Sequence, residues 1–220
     1  MKQPSQSPRQ SNPKIAAAIP AFNEEKYIGT VVLKTRQYVD EIIVVDDGSS
    51  DQTAKVARLA GATVVQHSQN KGYGASIKTL LAEARKKDIG ILVLLDGDSQ
   101  HNPDEIPELI KPISEGFDLV IGSRERQRNN IPGYRRIGQR VIARFSHVLS
   151  GENLSDSESG FRVFSRKAID LLDLRENGMA IGAETISRAT EKGLKITERP
   201  ISISYTEDGS TLNPVVHGLG

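Results

Sequence analysis

Leu92-Val93-Leu94-Leu95-Asp96-Gly97-Asp98-Ser99-Gln100 carries an apolar run of strand length straight into two carboxylates with a glycine between them. A short apolar run bounded by glycine and polar residues fits a strand buried on both faces, as in a parallel sheet. In extended backbone, residues i and i+2 point to one side, so Asp96 and Asp98 are expected to face one cleft together. Two carboxylates so placed repel unless a cation or bound donors offset them. A hard divalent ion such as Mg²⁺ or Mn²⁺ takes oxygen ligands and keeps positions open for substrate phosphates. An Asp-Gly turn closing a strand is the simpler alternative, and the motif alone leaves both open.

The same grammar recurs outward from this stretch. Lys14-Ile-Ala-Ala-Ala-Ile-Pro20 is a candidate first strand, and Asn23 a candidate cap for the helix after it. Ile28, Val31, Val32 and Thr35 fall on one helical face. Glu41-Ile-Ile-Val-Val-Asp46-Asp47-Gly48-Ser49-Ser50-Asp51 is again a buried strand entering an acidic loop. A helix over 52–60 closing at Gly61 and a strand over 62–67 follow. Asn70-Lys71-Gly72-Tyr73-Gly74 opens a helix whose face is Ile77, Leu80, Leu81 and Ala84. A helix over 103–114 and a strand over 117–122 come next. This alternation predicts an α/β fold with a mostly parallel central sheet and helices on both faces. Ligands of such sheets bind outside the carboxyl ends of the strands, where the acidic loops stand.

After Gly122 the pattern changes. Residues 123–144 hold seven arginines (Arg124, Arg126, Arg128, Arg135, Arg136, Arg140 and Arg144) against one acid, Glu125. A helix is expected over 132–149, a short strand over 161–164, and helices over 166–172 and 183–192. Ile201, Ile203 and Tyr205 alternate along a strand expected over 195–205. Residues 1–13 read as a disordered tail, and 214–220 as a C-terminal tail.

Composition narrows the classes. Of 220 residues, 37% are hydrophobic and 26% charged, which describes a soluble globular domain. A net charge of +1 gives no overall field for nucleic acid. The chain has no cysteine, which excludes disulfides, thiolate zinc sites and a cysteine nucleophile. No apolar run approaches the ~20 residues that span a bilayer.

Several features converge on a nucleotide-linked substrate. Asp46 and Asp47 can accept hydrogen bonds from a base or ribose. Lys71, followed by Gly72 and Gly74, offers a cation and close backbone approach to phosphate. Asp98 can hold a metal bridging a pyrophosphate. Singly, each has a plain reading, a capped turn or a solvated lysine; together they occupy successive strand ends of one sheet.

Ile19-Pro-Ala-Phe-Asn-Glu-Glu25, Val44-Val-Asp-Asp-Gly-Ser-Ser-Asp51, Asn70-Lys-Gly-Tyr-Gly74 and Asp96-Gly-Asp-Ser-Gln100, in that order, resemble the motifs of inverting family-2 glycosyltransferases. The resemblance spans about 14–213 and implies the GT-A fold, with 14–122 the nucleotide-binding part and 123–213 the acceptor part. Gly122-Ser-Arg124, Ser159-Gly-Phe-Arg162 and Glu198-Arg-Pro-Ile201 bring the chain nearest the dolichyl-phosphate mannosyltransferase branch. Those polyprenyl-phosphate hexosyltransferases move a sugar from a GDP- or UDP-linked donor to a lipid phosphate. By this resemblance Pro20, Phe22, Glu24 and Asp47 contact the nucleoside, with Asp46 beside them. Asp96 lines the ribose and diphosphate, and Asp98 and Gln100 ligate Mg²⁺ or Mn²⁺. Arg124, with Arg135 or Arg136, binds phosphates of donor or acceptor.

The acceptor sets the mechanism. A phosphate monoester, with a second pKa near ~6, is substantially dianionic at neutral pH and needs no base. Guanidinium forks then suffice to position it. The plain reading of the arginines is a solvated basic face, since Arg140 and Arg144 lie four apart. The alternative acceptor is a sugar hydroxyl, with Asp156 as general base. Relatives of that kind often carry a Gln-x-x-Arg-Trp motif, and this chain has no tryptophan. A non-catalytic nucleotide-sugar binding module is a further alternative, although the carboxylates and Lys71 are all present. A dehydrogenase is excluded by the missing glycine fingerprint after the first strand. A lipid acceptor implies peripheral contact at the cytoplasmic face of a membrane, through the basic segment 132–149.

Overall fold

The computed structural model of the chain describes residues 13–124 and 155–202. The predicted helix over 132–149 with Arg135 and Arg136, the tails, and Ile203 and Tyr205 lie outside the described residues. Strands β1 (Ile15–Ala21), β2 (Glu41–Asp46), β3 (Thr63–Gln66) and β4 (Ile91–Leu94) alternate with helices α1 (Ile28–Thr35), α2 (Thr53–Leu59) and α3 (Tyr73–Lys86). A 3₁₀ turn (Pro103–Glu105), α4 (Ile106–Ser114) and β5 (Leu119–Ser123) follow. The second described stretch gives β6 (Arg162–Ser165), α5 (Arg166–Leu171), α6 (Ile181–Glu191) and β7 (Ile196–Pro200).

These strands form one sheet in the order β3-β2-β1-β4-β6-β5-β7. β1, β2, β3 and β4 pair in parallel, as do β5 and β7. β6 runs antiparallel to both β4 and β5, with Val163 opposite Val93 on one side and Val120 on the other. A short apolar run carries no mark of its direction, so this reversal is a feature only the structure reveals.

Strand alternation divides the core in two. Ala16, Ala18, Leu92 and Leu94 face α3, α5 and α6 through Leu80, Ile169 and Ile186. Ala17, Ile19 and Val93 face α1, α2 and α4 through Val32, Ala57 and Leu109. The alanines of β1, an interior strand between β2 and β4, admit helices closely on both sides, and Ala16, Ala17, Ala18 and Ile19 all lie at 0% exposure.

Three local expectations are corrected. Asn23 is not a helix cap: it has a positive φ of 57°, and its Oδ1 accepts the Ser50 N–H across the loops. The helix expected over 103–114 is split, because the Asn102 side chain caps a 3₁₀ turn by accepting from Asp104 N. The last strand ends at Pro200, and Ile201 is buried just beyond it.

Asp118 ties the reversed part of the sheet together. Its Oδ2 accepts from Lys195 N at 3.0 Å and Lys167 Nζ at 3.1 Å, and its Oδ1 from Ser165 Oγ at 3.2 Å. Burial works against its charge, and these donors outweigh burial, holding the carboxyl below the ordinary carboxylate range. A depressed pKa stabilises the fold above the unfolded value of 3.8, and that contribution is lost as pH falls through the folded value. Asp118→Asn is therefore expected to lower stability by about 1–3 kcal/mol at neutral pH, from the loss of charged hydrogen bonds. Urea unfolding at pH 7 and in acid checks this, and the gap to the parent protein should close towards about pH 3.

Candidate active site

A cleft of about 400 Å³ opens at the carboxyl ends of β1 and β4. Pro20, Phe22, Glu24, Asp47, Asp96 and Asp98 all line it. Asp46, Lys71, Gln100, Arg124 and Asp156 do not lie on its wall.

Asp96 and Asp98 reach the cleft by a route other than strand alternation. β4 ends at Leu94, and Leu95 N still donates to Ala18 O at 3.1 Å. Beyond it the chain turns. Asp96 N donates to His101 Nδ1 at 3.2 Å, which places the ring hydrogen of His101 on Nε2. Ser99 takes a positive φ of 67°, and Gln100 N donates back to Asp98 Oδ1 at 3.0 Å. The Asp96 carboxylate is held on two sides. Tyr73 Oη donates to Oδ1 at 2.9 Å, and Gly160 lies so near the carboxylate that a Cβ there would collide with it.

The acids of the cleft act on one another. Burial, then the charges of Asp98, Asp51 and Asp96, raise Glu24 to about 7. Burial also raises Asp98, with Asp96 adding to it while the Gln100 N–H opposes. Tyr73 is pushed well up by burial and Asp96, so it stays a phenol and a donor. A site that penalises its own negative charge in this way suits a bound cation. Among the described residues, no three His, Asp or Glu side chains form a ready metal cage. That matches Mg²⁺-type binding through one or two carboxylates completed by substrate phosphates. Asp98 and Asp96 fit such an ion.

Other expected residues have different work. Asp46 is fully buried and braces its loop, accepting from Gln66 Nε2 at 2.9 Å and Ser49 N at 3.3 Å. Gly72 and Gly74 do not offer their N–H groups to phosphate. Gly72 N donates to Asp47 Oδ2 at 2.8 Å, and Gly74 N to Asn177 O at 2.8 Å. These glycines admit the 176–178 backbone: a Cβ at Gly72 would stand 2.5 Å from Asn177 O. Lys71 is exposed and contributes its N–H to Asp47 Oδ1 at 3.0 Å. Arg124 grips Asp156 with two bonds, Nε to Oδ2 at 2.5 Å and Nη2 to Oδ1 at 2.6 Å. Burial raises the Asp156 pKa, but Arg124 outweighs it and holds the carboxyl low.

Sequence reasoning assigned no role to Tyr73 or Arg162, although both stand inside motifs it quoted. Arg162 is buried and lines the cleft, its guanidinium held by three carbonyls: Ser159 O at 2.8 Å, Gly182 O at 2.9 Å and Ser157 O at 2.6 Å. It also missed His67, which bonds Asp47 Oδ1 through Nδ1 at 2.5 Å. A histidine twenty residues along the chain from its partner leaves no local pattern.

A mostly parallel sheet gathers acidic loops at its carboxyl edge, an arrangement that suits a nucleotide-linked substrate. The family model described as Glycosyl transferase family 2 matches residues 17–172, and the chain belongs to that family. The fold is of the GT-A type, and the protein is a glycosyltransferase. The chain is 35% identical over 214 residues to a UDP-N-acetylglucosamine–dolichyl-phosphate N-acetylglucosaminyltransferase of Methanococcus voltae, covering 86% of this chain and 85% of that one. It is 28% identical over 205 residues to a polyprenol monophosphomannose synthase of Mycolicibacterium smegmatis, covering 87% and 77%. Among solved structures, glucosyl-3-phosphoglycerate synthase from Mycobacterium tuberculosis in complex with Mn²⁺ and UDP-glucose is similar at a TM-score of 0.71 and 25% identity. That match covers 89% of this chain and 72% of the other.

The confinement of Asp96 is directly testable. Gly160→Ala should displace its carboxylate and weaken Mn²⁺-dependent nucleotide binding by roughly 10- to 100-fold. Titration of a fluorescent nucleoside diphosphate, with melting temperatures alongside, measures it; unchanged affinity would contradict a tight fit.

Proposed function

We propose that the protein moves a hexose from a nucleotide-sugar to a polyprenyl phosphate, inverting the anomeric carbon, with Mg²⁺ or Mn²⁺ held at Asp98. The observation that carries this reading is the meeting of Asp47, Glu24, Asp96 and Asp98 in one cleft. The relatives named for dolichyl-phosphate and polyprenol-phosphate transfer support the acceptor class.

In this reading Phe22, 45% exposed at the cleft, and Asp47 hold the nucleoside. Asp98, joined by Gln100, holds the ion, with Asp96 along the diphosphate. When bound, the ion supplies stabilisation of charge on the departing diphosphate. Tyr73 keeps Asp96 in place, and the fixed charge of Arg162 faces the same space without needing to reorganise. Arg124, with Arg135 or Arg136, binds the acceptor phosphate. A dianionic phosphate attacks without giving up a proton, and Asp156 supports that choice of acceptor. It lies off the cleft wall, and Arg124 lowers its basicity, which is the wrong direction for a general base.

An acceptor of this class lies in a membrane, and we place the encounter at its cytoplasmic surface. No helix of the described residues is long and apolar enough to cross one.

Asp98→Ala is expected to lower kcat by roughly 10³-fold or more, by removing the ion's anchor. Steady-state kinetics with a short polyprenyl phosphate, with and without chelator, reads it; full turnover in excess chelator would refute the metal requirement. Asp156→Asn keeps an acceptor for Arg124 and should hold kcat within about tenfold, whereas loss of a true base costs about 10²–10⁴-fold. A stable Asp156→Asn that binds donor normally yet scarcely turns over would favour a hydroxyl acceptor.

A further inference from the structure

Asp47 presents to the cleft a carboxylate whose accepting capacity is almost used up. A carboxylate offers about four lone-pair positions. Oδ1 takes His67 Nδ1 at 2.5 Å and Lys71 N at 3.0 Å. Oδ2 takes Gly72 N at 2.8 Å. One position, on Oδ2, is left for a ligand.

The shell is rigid as well as crowded. A carboxylate oxygen only accepts, so the ring hydrogen of His67 sits on Nδ1. The far nitrogen, Nε2, lies 3.0 Å from Thr79 Oγ1. The His67 side chain is 7% exposed and that of Asp47 5%. Backbone bonds pin both residues: Asp47 N donates to Ala21 O, and His67 N to Asp46 O, each at 2.9 Å. The plane of the carboxylate is therefore fixed, and it cannot turn Oδ1 towards a ligand.

Nucleobases differ in what they bring to such an acceptor. Guanine presents two adjacent donors, N1–H and the 2-amino group, which a carboxylate reads with both oxygens. Here Oδ1 has no position free. The amino groups of guanine, adenine and cytosine each add a second hydrogen beyond the one position that Asp47 has left, and a polar group left unpaired costs binding. Uracil brings a single N3–H with a carbonyl on either side. Asn70, also in the cleft wall, accepts from Gly72 N through Oδ1 at 3.1 Å, which assigns its amide and turns its NH₂ group away as a donor. One acceptor position on Asp47 and one amide donor on Asn70, both in the cleft wall, suit an imide N–H and its neighbouring carbonyl.

We propose that Asp47, with His67 as its positioning residue, selects a uracil base, so that the donor is a uridine-diphosphate sugar. This rests on the cleft being the nucleotide-sugar site. The test is equilibrium titration of the whole chain with UDP, GDP, CDP and ADP in the presence of Mn²⁺. UDP is expected to bind at least about tenfold tighter than each of the others. GDP, CDP or ADP binding as tightly as UDP would overturn the base assignment while leaving the donor site standing. Failure of all four to bind would remove the donor-site reading and this inference with it.

His67→Leu opens a position on Oδ1 and frees the carboxylate to turn. In a variant whose melting temperature is retained, the preference for UDP over GDP should shrink several-fold, and His67→Gln, which can donate in place of Nδ1, should recover it. A merely structural role would weaken all nucleotides alike, so an unchanged UDP-to-GDP ratio in His67→Leu would overturn the positioning role.

Discussion

Glu24, Asp51, Asp96 and Asp98 repel one another across the carboxyl edge of the sheet, and the surrounding loops are arranged to contain that repulsion. Three of these four acids, Asp51, Asp96 and Asp98, receive hydrogen-bond donors from the surrounding loops. Asp51 receives three, from Thr53 N, Thr53 Oγ1 and Glu25 N, and these bonds outweigh burial and hold its carboxyl low. Asp96 receives the Tyr73 hydroxyl, and Asp98 the Gln100 N–H. These donors to Asp96 and Asp98 are neutral groups, so they orient the carboxylates without cancelling their charge. The cleft keeps a negative field open to a hard cation, and Arg162 adds a fixed positive charge nearby, buried among carbonyls rather than spent on a carboxylate.

A second constraint comes from the loop that packs on α3. The N-terminus of a helix of this length ordinarily attracts phosphate. Here Gly74 N and Ala75 N both donate to Asn177 O, so the end of α3 is already capped by protein. Lys78 Nζ holds that cap in place, bonding Arg175 O at 2.9 Å and Asn177 Oδ1 at 2.5 Å, while Glu184 accepts the N–H groups of Arg175 and Glu176. Gly72, with a φ of +98°, and Gly74 permit this contact because neither carries a Cβ. Capping takes the Gly74 and Ala75 N–H groups out of use for an anion, so the polar groups left facing the cleft are those of its acidic side and Arg162. The same loop and α6 bring Met179 and Ile181 to the cleft wall.

Much of the sheet was legible in the sequence because its signals are local. Apolar runs ending in Pro20, Asp46 and Asp96 place β1, β2 and β4, and the acidic loops at their ends place the cleft. What was not legible depends on partners far along the chain. Asp46 and Asp47 are neighbours with the same chemistry, yet one is turned inward by Gln66 and the other outward beside His67. Nothing in the dipeptide distinguishes them. Lys71-Gly-Tyr-Gly reads as a phosphate loop until Asn177, about a hundred residues on, is seen to occupy it. The direction of β6 is likewise set by which edges of β4 and β5 remain to be paired.

The Arg124–Asp156 pair ties the end of β5 to the loop before β6. Arg124 follows directly on β5, and Asp156 belongs to the loop that leads into β6, so their two-bond ion pair spans a junction between neighbouring strands. Glu198 on β7 secures that loop from the other side, accepting from Ser155 N at 2.8 Å, Ser155 Oγ at 2.7 Å and Asp156 N at 3.1 Å. Three strands thus converge on one guanidinium. A fork held this way is already planar, oriented and short of rotamer freedom, so little further order is lost when it meets a phosphate. Under the proposed function a phosphate would replace the carboxylate like for like, two oxygens on the same two N–H groups. Asp156 then keeps part of its compensation from Arg162, whose charge also acts on it. The ion pair that lowers the basicity of Asp156 is also what would keep Arg124 ready for an anionic acceptor under the proposed function.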